Sequence, residues 1–287
     1  YIRFMDLQKV EAQAREAQIE AALEKVRSQS LAMHKSEQLP ETAKVLFEQF
    51  ESLGKVPDRI GICIFDEEAK EFELWGTDQV GSQLDHRFKG SLEEATVIAK
   101  MVKAWKAGKD FNIIDLSGQD LKDWIKYTRK NVKLPVDDTR IKGRRVQQAA
   151  FFSQGMFLFT SNEPEGEETL SLLVRFAKVF DQAYTRFLDL QKAEAQAREA
   201  QIEAALEKVR SRTTGMQKSE ELREVIQVIH DQLIQLNFQI DAAGFTLDYH
   251  QNNDWNTWIA NKSESLPSLM YFPYIDHPQF NYYKSAK

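Results

Sequence analysis

The sequence predicts an α+β protein: a mostly antiparallel sheet with flanking helices, joined by long linker helices, with a second module that is cut short. Three observations predict it. First, Phe4–Ser28 (FMDLQKVEAQAREAQIEAALEKVRS) returns almost unchanged as Phe187–Ser211, differing only at Met5/Leu188 and Val10/Ala193. The offset is 187 − 4 = 183, and it persists beyond the block at Met33/Met216, Lys35/Lys218, Leu39/Leu222, Gly61/Gly244 and Trp75/Trp258. A period this long marks tandem modules, because solenoid repeats recur every 20–50 residues or so. Second, the repeated block is rich in Ala, Glu, Gln, Lys and Arg and lacks Gly and Pro, which is strong helix composition. Third, the stretch between the blocks reads helix, three strands, helix, strand, irregular basic connection, hairpin, helix, an order that sorts strands and helices as α+β folds do.

Element by element, residues 1–28 read as helix, and 36–53 as a second one with Ser36 as N-cap, Pro40 in its first turn and Gly54 as its stop. Arg59–Phe65 alternates Ile60, Ile62 and Ile64 with Gly61 and Cys63 and reads as a strand. Asp66–Lys70 is a charged turn, and Glu71–Trp75 is the partner strand, with Phe72 and Leu74 on one face. Leu84–Lys89 is a third strand, a helix is expected from Ser91 to Gly108, and Phe111–Leu116 is a fourth strand. Another helix starts at Ser117 and carries Leu121, Trp124 and Ile125; residues 131–145 are irregular and basic. Val146–Ser153 and Met156–Thr160 form a hairpin around Gln154-Gly155, and a helix then runs from about Glu165 to about Thr214. The resulting division is a linker helix at 1–35, a complete domain at 36–182, a linker helix at 183–218 and an incomplete domain at 219–287. Tyr1 corresponds to Tyr184 and Lys287 to Ala104, so the chain is expected to be a piece of a longer one.

Composition narrows the function. Hydrophobic residues are 42% and charged residues 29%, which supports a packed core. The net charge is −6, the wrong sign for a protein that grips phosphate backbones, so no nucleic acid is expected. No apolar run is long enough for a membrane span. The single cysteine, Cys63, excludes an internal disulfide and points to a reducing, cytoplasmic setting. His34-Lys35-Ser36-Glu37 faintly resembles a phosphoacceptor histidine box, but position 34 is Gln217 in the second copy, and a solvated helix histidine explains it better. Cys63 is replaced by Thr246 there and reads as a buried structural thiol. The histidines show no HExxH pattern, and no phosphate-binding glycine loop or GxSxG is present.

The element order resembles that of GAF-type sensor domains, and EAQAREAQIEAALEKVRS followed by Met-x-Lys-Ser-Glu resembles the signalling helices that join such domains in bacterial two-component proteins. The resemblance implies a ligand pocket walled by Trp75, His86, Phe88, Trp105, Phe111 and Trp124, residues that ordinary core packing explains equally well. The Asn-Lys…Asp-Glu pattern of the cyclic-nucleotide-binding members is missing, so no cofactor is named. Arg144 and Arg145, in the basic run with Arg140 and Lys142, are candidate anion contacts, with a solvated loop as the alternative. The apolar stripe Leu173, Phe176, Phe180, Ala183, Phe187, Leu190, Ala197 changes phase to Ile202, Leu206, Val209 across an alanine-rich break. Such a stripe suits a parallel homodimer through the linker helices, or else a helix that packs back on its own domain.

The expected function is therefore a non-catalytic sensory relay that binds a small molecule or a partner. Its output domain (kinase, phosphatase or cyclase) would lie outside this chain. An enzyme of unrecognised type and a pure interaction scaffold are the alternatives. Residues 36–182 are expected to form a tight core. Those after about Asn237, among them Trp255, Trp258, Tyr271, Phe272, Tyr274, Phe280 and Tyr282, are expected to pack loosely or to need another chain.

Overall fold

In the computed structural model, residues 2–78, 82, 87–218, 221–247, 254–263, 267–278 and 281–282 are described. The fold is α+β, with one six-stranded antiparallel sheet, one three-stranded sheet and long helices. It divides into two units, Tyr1–Leu190 and Gln191–Lys287.

The first unit opens with α1 (Ile2–Leu31), a 3-10 turn at Ser36–Gln38 and α2 (Leu39–Ser52), where Pro40 falls in the first turn as its missing N–H requires. The hairpin of β1 (Arg59–Asp66) and β2 (Glu71–Gly76) turns on Asp66, whose carboxylate accepts from the Ala69 N–H at 2.8 Å. β3 (Phe88–Ser91) adds to β2; residues 84–86 of the expected third strand lie outside the described residues. Ser91 does not cap the next helix. It ends β3, and α3 runs only from Ile98 to Lys106. The cap is Glu94, whose Oε2 accepts from the Val97 and Ile98 N–H groups at 2.9 Å each, satisfying donors that a helix start leaves open. β4 (Phe111–Ser117), α4 (Gly118–Tyr127), a π turn at Thr128–Val132 and a 3-10 turn at Asp138–Arg140 lead to β5 (Arg144–Phe152) and β6 (Gly155–Ser161).

Strand order is β3-β2-β1-β6-β5-β4. The two hairpins meet where β1 pairs with β6, with Ile60 opposite Phe159 and Ile62 opposite Phe157. Gly155 makes that approach feasible, since a Cβ there would sit 1.9 Å from the Cys63 carbonyl oxygen. Because strand side chains alternate, the sheet separates two cores. On one face, Ile60, Ile62, Trp75, Phe157 and Phe159 pack with α1, α2 and the start of α5 (Glu167–Thr214). On the other, Cys63, Phe72, Leu74, Met156 and Leu158 pack with α3, α4 and the turns that follow. α1 is thus part of the first core, through Ile19, Leu23 and Val26, and so is the apolar stripe of α5 from Leu173 to Phe187. Ion pairs Arg15–Glu168 (3.1 Å) and Arg175–Glu16 (2.6 Å) tie the two helices together.

The second unit holds α5 from Gln191, then α6 (Leu222–Gln235), β7 (Ala242–Leu247), β8 (Trp255–Asn261) and β9 (Ser268–Phe272), with sheet order β7-β8-β9. It repeats the first unit in detail. α6 begins and ends 183 positions after α2 (222 − 39; 235 − 52), and α5 ends 183 after α1 (214 − 31). The Arg15 bond to the Leu53 carbonyl (3.0 Å) returns as Arg198 to Leu236 (2.9 Å). The β7–β8 register also matches that of β1–β2: Gly244 faces Ile259 as Gly61 faces Gly76. The β8–β9 register departs by one residue, with Trp255 opposite Phe272 where Phe72 faces Gly90. The counterpart of Gly90 is Pro273, which has no N–H for a ladder.

Burial differs sharply between the copies. Apart from Pro267, Ala260 is the one apolar residue after Asn237 that is buried among the described side chains; those of Leu247 and Phe280 lie outside them. Leu23 is 4% exposed, whereas its counterpart Leu206 is 49% exposed. Leu23→Ala should therefore cost about 2–5 kcal/mol in chemical denaturation of the first unit. Leu206→Ala should cost no more than about 0.5 kcal/mol, the usual range for a surface site.

Candidate functional site

The first unit contains a cavity of about 50 Å³ on the α3/α4 face of the sheet. Its floor is Gly61, Cys63 and Leu74 with Gln147, Leu158 and Thr160; Ile98, Trp124 and the turn residues Thr128, Val132 and Leu134 close it. The size suffices for roughly three to five waters or a ligand of a few heavy atoms. Gly61 is fitted to its place, because a Cβ there would lie 2.7 Å from Leu74 Cδ1.

Two arginines give the apolar cavity its polarity. Arg59 donates from Nε to the Thr77 carbonyl at 3.1 Å and from a terminal nitrogen to the Pro135 carbonyl. Burial, and next the neighbouring Arg145, pull its guanidinium down to about 10. Arg145 is buried and ion-pairs with Asp58, which also accepts from Asn162 Nδ2 at 3.0 Å. Gln147, one strand position beyond on the same face, accepts from the Thr160 hydroxyl at 2.9 Å. Cys63 is buried against the cavity, and burial pushes its thiol well above the ordinary range.

Of the residues expected to wall a pocket, Trp124 lines the cavity and stacks on Tyr127 at 6.0 Å between centroids. Phe88 belongs to the same core without lining the cavity. Trp105 meets Phe65 edge-on and donates from its indole nitrogen to the Phe152 carbonyl at 2.9 Å, a packing role. Trp75 is placed on the opposite face, in the core shared with α1, α2 and α5, and its indole N–H is buried without a partner. Phe111, at the start of the edge strand β4, is 44% exposed. His86 lies outside the described residues. Of the expected wall residues, the structure thus brings Trp124 to the cavity and leaves Trp75, Phe88, Trp105 and Phe111 away from it, while Phe72 also lines it.

Arg144 and Arg145 do not form a common anion cradle. Neighbours on a strand point to opposite faces. Arg145 reaches the cavity, whereas Arg144 clamps Asp115 with bonds of 2.9 and 2.6 Å and also pairs with Glu163. The Arg144 clamp holds the Asp115 carboxyl below the usual carboxylate range. Sequence reasoning missed Arg59, Thr77 and Gln147. The parity of β1 held the signal for Arg59, since positions 59, 61 and 63 share the face opposite Ile60 and Ile62. Among the described residues, no group of three or more His, Cys, Asp or Glu could hold a metal ion, and no helix is long and apolar enough to cross a membrane.

The Cys63 environment yields a direct check. In the native protein at pH 8 its thiol should resist thiol-modifying reagents, with labelling at least about 100-fold slower than in the urea-unfolded chain. Fast labelling in the native state would contradict the closed cavity floor. No family model matches this chain, and no curated protein matches it.

Proposed function

We propose that the chain is a non-catalytic sensory relay of a cytoplasmic signalling protein, in which a small ligand in the first unit's cavity is read out through α5 by an output domain elsewhere. One observation carries the reading: β6 touches both the cavity and the helix. Leu158 and Thr160 line the cavity, while the intervening Phe157 and Phe159 face the helical core. Phe157 lies 5.0 Å from Phe180 of α5 between ring centroids, and Phe159 lies 5.4 Å from Phe50 of α2. Dense packing transmits displacement, so a ligand pressing on Leu158 also presses on the seat of α5. The resemblance to GAF-type sensor modules rests on the element order and the linker helices read from the sequence.

In the same reading two copies pair through their linker helices. The stretch left for that contact is short. The stripe from Leu173 to Phe187 is used within the first unit, while residues 190–201 are exposed, Leu190 included. The small cavity also favours a second reading, an interaction scaffold without a ligand, since drug-sized ligands occupy about 300–1,000 Å³.

Spin labels placed by Gln196→Cys separate these readings, because the native thiol is buried. Paired linker helices 8–10 Å apart should give an intermolecular label distance below about 30 Å. Leu158→Phe, which fills the cavity at an overpacking cost of about 1–3 kcal/mol, should shift or broaden that distance. No intermolecular distance would reject the pairing, and an unchanged distribution would reject the relay.

A further inference from the structure

The second unit repeats one side of an interface whose other side, in the first unit, is β6 and the start of α5. β7 is an edge strand, and its open edge is the edge that β1 gives to β6. Ile202 and Val209 are half-buried and Leu206 is exposed, where Ile19, Val26 and Leu23 are all buried. The charges are repeated too. Glu16 and Glu20 bind Arg175, and Arg15 binds Glu168. Their counterparts Glu199, Glu203 and Arg198 stand in the same pattern on α5, and among the described residues neither of the two glutamates has an ion pair like those of Glu16 and Glu20.

We propose that this surface docks, from a partner other than a second copy of this chain, an apolar antiparallel strand followed by an amphipathic helix with the chemistry of residues 155–187. The strand would extend the sheet at β7. The helix would cover Ile202, Leu206 and Val209, placing an acid near Arg198 and a cation between Glu199 and Glu203. An edge strand with open backbone groups and an uncovered apolar helix face both favour such addition. The segment already present cannot serve, because Phe176 and Phe180 are fully buried in the first unit.

The test adds a peptide of residues 144–187 to the full chain and follows amide hydrogen exchange. Exchange at 202–209 and 242–247 should slow at least about 10-fold, while 59–64 stays unchanged. A peptide carrying Arg175→Glu should protect less, and Glu199→Arg with Glu203→Arg in the chain should restore it. Absence of protection overturns the proposal, as does equal protection by the charge-reversed peptide. It is also overturned if raising the chain concentration alone protects these residues, since a second copy would then be the occupant.

Discussion

The pairing of β1 with β6 organises the first unit. It joins two hairpins that are far apart in sequence into a six-stranded sheet, with Ile60–Ile64 set against Gly155–Phe159. Gly155 permits it, since any larger residue would meet the Cys63 carbonyl. Once the strands are joined, alternation divides their side chains between two faces. Phe157 and Phe159 enter a core with Phe50, Phe176 and Phe180, whose rings meet at centroid distances of 5.0–5.4 Å. Leu158 and Thr160 face the cavity. The closing helix and the candidate site therefore rest on the same few residues from opposite sides.

The second unit shows what the same sequence plan does without that pairing. Its helix and hairpin reproduce those of the first unit down to the Arg198–Leu236 bond and the β7–β8 register. The helix and the first hairpin thus form alike in both units, whereas the β8–β9 register is shifted by one residue. Burial differs: Ala243, Phe245 and Trp258 are half-buried where Ile60, Ile62 and Trp75 are buried. Hydrogen bonds between neighbours form the hairpin, while the hydrophobic stabilisation of a sheet comes from layers on both faces.

Much of this was legible in the sequence. The repeat, both hairpins of the first unit and the long helix follow from composition, alternation and Gly/Pro placement. The start of α3 did not, because a serine ahead of a helical pattern is a generic signal, and the cap is a glutamate side chain folding onto Val97 and Ile98. The pocket was only partly legible. Assigning Trp75 to the wall overlooked the parity of β2, in which Phe72 and Leu74 share one face and position 75 falls on the other. Arg144 and Arg145 fail as a pair for the same reason. The cavity itself depends on how α4 and the turn after it lie over the sheet, which no spacing in the chain encodes.

The central claim is that the β1–β6 pairing, with the layers it brings, separates the tightly packed copy from the open one. Residue-resolved hydrogen exchange of the dilute chain tests it within one sample, by comparing Gly61–Ile64 with Gly244–Leu247, positions 183 apart on equivalent strands. Strands held by a complete core open only with global unfolding, whereas an edge strand without cover opens locally. Exchange at Gly244–Leu247 is predicted to be at least about 100-fold faster than at Gly61–Ile64. Equal protection of the two strands would contradict the account.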